Sequence, residues 1–267
     1  MSDLNNKKVV FFDIDGTLFL PKVGIPKSTI EALKKLKEND ISIVICTGRA
    51  RALVPKYIID LGFDGIIAGA GTYVEINGTK IHEENLDPLL ATELISDIKK
   101  SGLIPILEGH SISYYDDTIQ DESYKKVLDA YFKEAEPYFI PIPEDYSTIT
   151  IAKASARYTD NGDESFLIDK YKERFNIVSH SKLLLEFIPN HSSKAKGIEE
   201  YLKATNIQKS NTYAFGDSMN DFEMLNYVEY GVAMGNASEE FKSHFKYITE
   251  RIDEDGIYNA LKRFELL

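Results

Sequence analysis

Two aspartates directly follow a short, wholly apolar segment near the start of the chain. The segment Val9-Val10-Phe11-Phe12 precedes Asp13-Ile14-Asp15-Gly16-Thr17. Four bulky apolar residues in succession are typical of a strand buried on both faces of a parallel sheet, and ligands bind at the carboxyl ends of such strands. Side chains two apart on an extended segment share a face, so Asp13 and Asp15 could together hold a hard cation such as Mg²⁺. The feature favours an α/β fold with a site at the sheet edge.

Two other structures could contain such an aspartate pair. A calcium loop of the EF-hand type needs a bidentate glutamate at its twelfth position, and counting from Asp13 that position is Gly24. The sequence therefore excludes an EF-hand. The motif by itself does not exclude a tight turn without a functional site, because Asp and Gly both favour tight turns.

The composition indicates a globular protein with no nucleic-acid-binding character. The chain has 267 residues, of which 43% are hydrophobic and 28% charged, and a length of this size suits two domains of roughly 100 to 200 residues. Its 31 lysines and arginines stand against 43 aspartates and glutamates, a formal charge of −12. Nucleic acid is excluded as a partner because no basic cluster is present. A phosphate site must then be positive locally, through a metal, a lysine or helix N-termini.

The single cysteine and the terminal segment favour a cytoplasmic location. Cys46 lies within an apolar run at 41–46, so no disulfide framework exists and a reducing compartment is expected. Its side chain is interpreted as a small buried hydrophobe. Residues 1–8 carry no apolar signal-peptide core, and no run approaches the ~18 apolar residues of a membrane span. The sequence therefore predicts no membrane association, and it indicates no protein partner.

The first and last thirds of the sequence alternate strands and helices. Ser28-Thr29-Ile30-Glu31 has the pattern of a capping box and predicts a helix with Ile30 on its apolar side. A strand, helix and strand in succession must form a parallel, right-handed unit. The further elements predicted here are strands at 41–46, 65–68, 212–215, 231–234 and 247–248, a hairpin turn at Asn77-Gly78, and helices at 50–61, 192–204, from 219, and after 256.

The middle third has a different character and is interpreted as an inserted domain. Asp87-Pro88 is a helix start, with an N-cap residue followed by proline at the first helical position. The other elements predicted here are strands at 104–108, 112–115, 148–154, 176–179 and 183–187, and helices at 122–132 and 164–175. The predicted fold is a doubly wound, Rossmann-like parallel-sheet core of residues 1–82 and 189–267, with an inserted α+β cap at 83–188.

A second acidic strand end lies about 200 residues after the first. In Gly216-Asp217-Ser218-Met219-Asn220-Asp221, a strand again ends in a glycine and carboxylates follow. The two strand ends can act together only if both strands belong to one sheet and the insert folds separately. Asp13, Asp15 and Asp217 would then converge on one Mg²⁺. Thr47, at a third strand end, would offer a phosphate its hydroxyl and adjacent N–H groups, and Lys194 would supply positive charge.

This arrangement resembles the haloacid-dehalogenase-like superfamily and, within it, the Cof-type sugar-phosphate phosphatases with a C2B cap. The resemblance covers nearly the whole chain. The segments that carry it are Asp13-Ile14-Asp15-Gly16-Thr17, Cys46-Thr47-Gly48-Arg49, Ser193-Lys194, the stretch 216–221, and the later stretches 232–237 and 253–256. The chain departs from the family pattern in having Lys194-Ala195-Lys196-Gly197 for Lys-Gly and Ala70-Gly71 for Asn-Gly.

The resemblance implies a role for each site residue. Asp13 is the nucleophile that forms an aspartyl-phosphate, and Asp15 is the general acid and base whose backbone carbonyl also helps to hold the metal. Asp217 is implied as a direct metal ligand, and Asp221 as a residue that orients a metal-bound water or Lys194. The residues implied to bind the phosphate are Asp13, Thr47, Gly48, Lys194 and Asn220.

Together these observations predict a Mg²⁺-dependent phosphatase that acts on small phosphomonoesters, most of all sugar phosphates. The cap at 83–188 is expected to select the leaving group. Two alternatives stay open: a phosphomutase that uses the same aspartyl-phosphate, and a non-enzymatic phospho-acceptor. Receiver domains of the second kind have about 120 residues without a cap and lack an acid two residues after the acceptor.

Overall fold

The computed structural model describes residues 7–135, 138–180 and 183–267 and contains two compact units. Unit 1 consists of Met1–Gly48, Ile59–His82 and Ser193–Leu267, and unit 2 of Arg49–Ile58 and Glu83–Ser192. Residues 1–6, which the predicted core limits include, lie outside the described residues. The units differ from the predicted limits at 49–58 and 189–192, which group with unit 2.

The elements of both units follow in chain order. The strands are β1 (Val9–Phe12), β2 (Ser42–Cys46), β3 (Gly65–Ala68), β4 (Tyr73–Ile76), β5 (Thr79–Glu83), β6 (Ile104–Glu108), β7 (Ser113–Tyr115), β8 (Phe139–Pro141), β9 (Lys153–Arg157), β10 (Phe175–His180), β11 (Leu184–Pro189), β12 (Thr212–Gly216), β13 (Tyr230–Ala233) and β14 (Tyr247–Ile248). The α-helices are α1 (Lys27–Glu38), α2 (Lys56–Ile59), α3 (Pro88–Lys100), α4 (Glu122–Ala135), α5 (Ser165–Tyr171), α6 (Lys194–Thr205), α7 (Phe222–Tyr227), α8 (Glu239–Lys242) and α9 (Gly256–Arg263).

Unit 1 is built on a sheet in the order β14-β13-β12-β1-β2-β3-β4-β5. The strands from β14 to β3 pair in parallel, and β4 adds to β3 antiparallel. Val9 pairs with Thr212 on one side and with Ser42 on the other, so β1 lies at the centre. The chain winds outward from β1 in both directions, which places the ligand crevice of such a sheet at the carboxyl ends of β1 and β12.

The alternation of side chains along β1 explains why the segment is wholly apolar. Val9 and Phe11 belong to one core cluster, which includes residues of α6 and α7, while Val10 and Phe12 belong to another, which includes residues of α1 and α9. All four residues are completely buried. The predicted α/β core with both faces covered and with β1 and β12 in one sheet is confirmed.

Unit 2 is an α+β unit on a sheet in the order β10-β11-β9-β6-β7-β8. Its strand pairs are antiparallel except for β7 with β8. Leu107 and Ala154 pack in a cluster with residues of α3 and α5, whereas Ile104 and Ile106 pack with residues of α4. The prediction that Asp87 caps a helix beginning with Pro88 is confirmed, because the Asp87 carboxylate accepts hydrogen bonds from two backbone N–H groups of the first turn.

Three local predictions are wrong. Helix α1 has Pro26 at its N-cap with no side-chain cap; the Ser28 hydroxyl instead donates to Asp255, and Ile30 is exposed. The predicted helix at 50–61 is a 3₁₀ turn, Arg51–Leu53, and the short α2, because Pro55 between them lacks an N–H donor. The predicted strand at 148–154 begins only at Lys153, since the Asp145 carboxylate caps a 3₁₀ turn.

Candidate active site

Asp13 lies where the chain leaves β1. Its N–H donates to the Phe215 carbonyl at 3.1 Å and its side chain is buried. Asp15 lies in the following turn, bridged to Phe19, and its side chain is exposed. Burial is the main cause of the raised pKa of Asp217, and the charge of Asp15 adds to it, so Asp15 lies near that carboxylate. That Asp13 and Asp15 present their carboxylates on one face stays a prediction.

Lys194 is the first residue of α6 and reaches Asp13 from a neighbouring element. Its Nζ lies 2.6 Å from Asp13 Oδ1 and 2.5 Å from Asp221 Oδ1, and the side chain is buried. Ser193 caps the helix by accepting a hydrogen bond from the Lys196 N–H. Lys196 itself is exposed and pairs with Glu199. Of the two lysines in this motif, Lys194 is the one that contacts the acidic residues.

Asp221 organises the loop after β12 with both of its oxygens. Oδ1 accepts from Lys194, while Oδ2 accepts from the N–H groups of Asp217 and Ser218 at 2.9 and 3.2 Å. A side chain at Gly216 would come within 2.5 Å of the Asp221 side chain, so only glycine permits this approach. Because both carboxylate oxygens of Asp221 already accept hydrogen bonds, this residue is suited to orienting its neighbours rather than to binding an ion directly.

Asp217 rests against the loop that follows Asp13. The Thr17 hydroxyl donates to Asp217 Oδ1 at 3.2 Å, and a Cβ on Gly16 would lie 2.2 Å from Asp217 Oδ2. Gly16 also has a φ of +90°, which other residues rarely adopt. Thr17 was assigned no role from the sequence, because its partner Asp217 is 200 positions away along the chain.

Burial and like charge raise the pKa values of two of these carboxyl groups. Burial, with a further contribution from Asp221, raises the pKa of Asp13 well above its ordinary value, and Lys194 opposes this. Burial and Asp221 also raise the pKa of Asp217 to about 7. Burial alone would lower the pKa of Lys194, but the charges of Asp13 and Asp221 raise it. One ammonium therefore faces three carboxyls, and added positive charge would stabilise their ionised forms.

The donor set fits a hard divalent cation. Carboxylate oxygens of Asp13, Asp217 and Asp221 lie within 4.8 Å of one another, and Mg²⁺ prefers oxygen ligands at about 2.1 Å, with one or two carboxylates and several waters. Because Asp221 is already bonded to Lys194 and two N–H groups, Asp13 and Asp217 are the carboxylates best able to hold the ion.

Thr47 and Gly48 directly follow β2, and Asn220 lies in the loop after β12, between Asp217 and Asp221. Thr47 is buried, and its N–H continues the sheet by donating to the Ile67 carbonyl at 2.9 Å. A Cβ built on Gly48 would lie 3.6 Å from Asn220 Nδ2, so these two residues are neighbours. The Ser218 hydroxyl donates to Asn220 Oδ1 at 2.8 Å, which leaves the amide nitrogen as the group nearer Gly48.

Two glycines allow α6 to approach the loop after β3. A Cβ on Gly197 would come within 2.3 Å of the Ile67 side chain, and one on Gly71 within 2.0 Å of the Ser193 carbonyl. The close approach fixes the start of α6 and hence the place of Lys194. Ala70, beside Gly71, has a left-handed φ of +54°.

Comparisons with known proteins define the class of this chain. A model of the haloacid dehalogenase-like hydrolase family matches residues 10–261. The chain belongs to this family, as its four sequence motifs predicted, and it is an enzyme of the hydrolase type. Within the described ranges, no helix combines the length and apolar character needed to cross a membrane.

Individual relatives match along their whole length. The protein YkrA of Bacillus subtilis (strain 168), named provisionally as a phosphatase, is 28% identical over 270 residues, which cover 98% of this chain and 99% of YkrA. Pyridoxal phosphate phosphatase YbhA of Escherichia coli (strain K12) is 26% identical, with 94% and 96% covered. Among solved structures, the HAD subclass IIB sugar phosphatase BT4131 is 28% identical, with a TM-score of 0.84 and 98% and 100% covered.

Proposed function

We propose that this chain is a Mg²⁺-dependent phosphatase that hydrolyses small phosphomonoesters, sugar phosphates above all, through an aspartyl-phosphate. The observation that carries the proposal is the buried Lys194 ammonium held between Asp13 and Asp221, with Asp217 close by. Phosphoryl transfer requires mainly positioning and neutralisation of charge. A lysine and a cation site around one carboxylate meet that requirement in a chain of negative net charge.

In the proposed reaction, an Asp13 oxygen attacks phosphorus as the bond from phosphorus to the leaving oxygen breaks. Asp15 donates its proton to the leaving oxygen and then removes one from the water that hydrolyses the aspartyl-phosphate. Attack requires ionised Asp13, and Lys194 favours that form because its charge lowers the pKa of Asp13. A bound Mg²⁺ would add charge neutralisation for the phosphoryl oxygens.

The remaining groups of unit 1 suit the phosphate oxygens. Thr47 would contribute a hydroxyl, Gly48 a backbone N–H, and Asn220 the amide nitrogen that lies beside Gly48. None of these groups carries a formal charge, so they fix orientation while Lys194 and the cation balance charge. Asp13 would take part both as nucleophile and as a ligand of the cation.

The substrate class rests on the relatives and on the division of the chain. Relatives along the whole length are named for sugar phosphate and pyridoxal phosphate chemistry, so a small, soluble ester is the proposed substrate. Every group assigned above belongs to unit 1. We therefore retain the prediction that residues 83–188 select the leaving group, and we expect a cytoplasmic enzyme.

A screen of phosphorylated metabolites tests the proposal. Phosphate release should require Mg²⁺, stop with EDTA and resume when Mg²⁺ is restored, with hexose and pentose phosphates among the better substrates. Exchange of residues 84–186 for those of a related protein should change the substrate order while Mg²⁺ dependence stays. Transfer of phosphate to a second sugar hydroxyl instead of water would favour the mutase, and a stable phosphoprotein without turnover would favour the phospho-acceptor.

A further inference from the structure

Asn236 joins two loops of unit 1 through both ends of its side-chain amide. Its Nδ2 donates to the Gly16 carbonyl at 2.8 Å, and its Oδ1 accepts from the Ile252 N–H at 3.0 Å. The residue lies in the stretch 232–237, which has no part in the roles assigned above. One side chain thus connects the loop after Asp13 with a loop near the carboxyl end of the chain.

The bond from Asn236 fixes the carbonyl of the Gly16–Thr17 peptide. At one end of the Gly16–Thr17 peptide the carbonyl accepts from Asn236, and at the other end the Thr17 N–H donates to the Ile14 carbonyl at 3.3 Å. Glycine at a φ of +90° has access to more conformations than any other residue. The Gly16 N–H also donates to the Phe19 carbonyl at 2.8 Å, so loss of the Asn236 bond would release the Gly16 carbonyl while the rest of the turn stays bonded.

That same peptide forms the surface on which the Asp217 carboxylate lies. Gly16 contacts it so closely that a Cβ would overlap Oδ2, and the Thr17 hydroxyl donates to Oδ1. A rotation of the Gly16–Thr17 peptide would displace both contacts at once. The position of Asp217 relative to Asp13 therefore depends on a bond made by neither residue.

The backbone around Asn236 is itself well fixed. The Gly235 N–H donates to the Glu250 carbonyl at 3.1 Å, and the Ala237 N–H donates to the Met234 carbonyl at 3.0 Å. Met234 in turn donates to the carbonyl of Gly216, the residue before Asp217. The Asn236 side chain is therefore held in place and can fix the position of the Gly16 carbonyl.

We infer that Asn236 is a positioning residue for the cation site, which sets the Gly16–Thr17 peptide and through it the Asp217 carboxylate. The inference rests on the proposed function. It assigns Asn236 no contact with substrate or ion.

Direct binding of Mn²⁺, an ion with the same preference for oxygen ligands, tests this role in the full chain. Asn236→Ala removes both hydrogen bonds, and Asn236→Asp keeps the acceptor for Ile252 but places an oxygen against the Gly16 carbonyl. Asn259→Ala is the matched control, because Asn259 Nδ2 also donates to a loop carbonyl, that of Glu254, away from Gly16. Electron paramagnetic resonance would give the Mn²⁺ dissociation constants, and melting in EDTA would report stability.

Both Asn236 variants should raise the Mn²⁺ dissociation constant about tenfold, the usual effect of removing a residue that supports a metal ligand, and Asn259→Ala should not. The metal concentration for half-maximal activity should rise equally, with kcat recovering at saturating metal. Lower melting temperatures with unchanged Mn²⁺ affinity in both variants would overturn the inference alone. The other outcome is that the unaltered chain binds no Mn²⁺, or binds it equally well with Asp217→Asn. That result would contradict both the inference and the proposed function.

Discussion

Each unit of the molecule buries one lysine between two carboxylates, and the two clusters differ in charge and location. The members are Lys194 with Asp13 and Asp221 in unit 1, and Lys153 with Glu108 and Glu186 in unit 2. Asp217 adds a third carboxylate to the first cluster, which leaves an excess of two negative charges when all are ionised. The second cluster has an excess of one. A divalent cation would therefore neutralise the charge of the Lys194 cluster.

Their surroundings differ as well. The Lys194 cluster lies beyond the strand ends of unit 1, where residues from distant parts of the sequence meet. The second lies within the unit 2 sheet, where β6, β9 and β11 are adjacent; Glu108 pairs in register with Lys153, and the Ser155 hydroxyl donates to Glu108 at 2.6 Å. A buried ion group is weak evidence for stability or for function by itself. We interpret the first as functional and the second as structural, and four experiments test this contrast.

The largest effect is expected from Asp13→Asn. The change keeps the side-chain volume and removes the nucleophile, so phosphate release should fall by at least ~10⁴-fold, the scale of losing a group that acts as part of a catalytic unit. Circular dichroism should show an unchanged fold. The control is Asp253→Asn, a change at a partly exposed aspartate that pairs with Arg251. Substantial activity in Asp13→Asn would contradict covalent catalysis.

In unit 2 the corresponding change should affect stability instead. Lys153→Met leaves Glu108 and Glu186 buried without their cation, which should lower the free energy of unfolding by about 3–5 kcal/mol. Lys203→Met is the matched control, because Lys203 also pairs with two acids, Glu199 and Glu200, but its side chain is 59% exposed, so its loss should cost much less. Urea unfolding would measure both free energies. Equal losses in the two variants would contradict the distinction between buried and exposed ion groups.

The fold could be predicted from the sequence wherever burial pattern and turn chemistry agree. β1 and β3 occur at the predicted residues because each is a continuous apolar run bounded by polar or glycine residues. The hairpin occurs at Asn77-Gly78, where both residues have positive φ. Prediction failed at Ser28 because tertiary contact with Asp255 competed with local capping.

The site was only partly accessible to the same reasoning. Strand-end position predicted that Asp13 and Asp217 would come together, because parallel strands end at one edge. The sequence pattern could not show that Asp13 is buried while Asp15 is exposed, since this depends on the turn geometry. It could not show the dependence of Asp217 on Gly16 either, because a contact between residues about 200 positions apart leaves no local signal.

A third experiment compares the two lysines of one helix. Lys194→Met should reduce kcat/KM by about 10²–10³-fold, the usual cost of removing a group that stabilises transition-state charge. Lys196→Met removes only an exposed pair with Glu199 and should change the rate less than twofold. Steady-state kinetics at saturating Mg²⁺ would decide between them. The opposite ranking would assign the phosphate-stabilising role to Lys196.

The smallest expected effect is the pH dependence of the metal-free protein. Because the pKa of Asp217 is about 7 in the folded state and 3.8 ordinarily, folding takes up a proton between these values. The resulting stability is complete below pH ~4 and is lost as pH rises toward 7. Asp13, with its raised pKa, acts in the same direction.

Melting in EDTA should therefore occur at lower temperature at pH 8 than at pH 5. Discounted for partial exposure, the change is on the order of 2 kcal/mol, or about 5 °C for a chain of this size. Mg²⁺ should reverse the loss at pH 8, where the carboxylates are ionised, and should have little effect at pH 5. Asp217→Asn should reduce the pH dependence, whereas Lys153→Met should leave it unchanged. An equal change of melting temperature with pH in Asp217→Asn and in the unaltered chain would mean that groups other than Asp217 take up the proton. The excess negative charge would then not distinguish the Lys194 cluster from the Lys153 cluster.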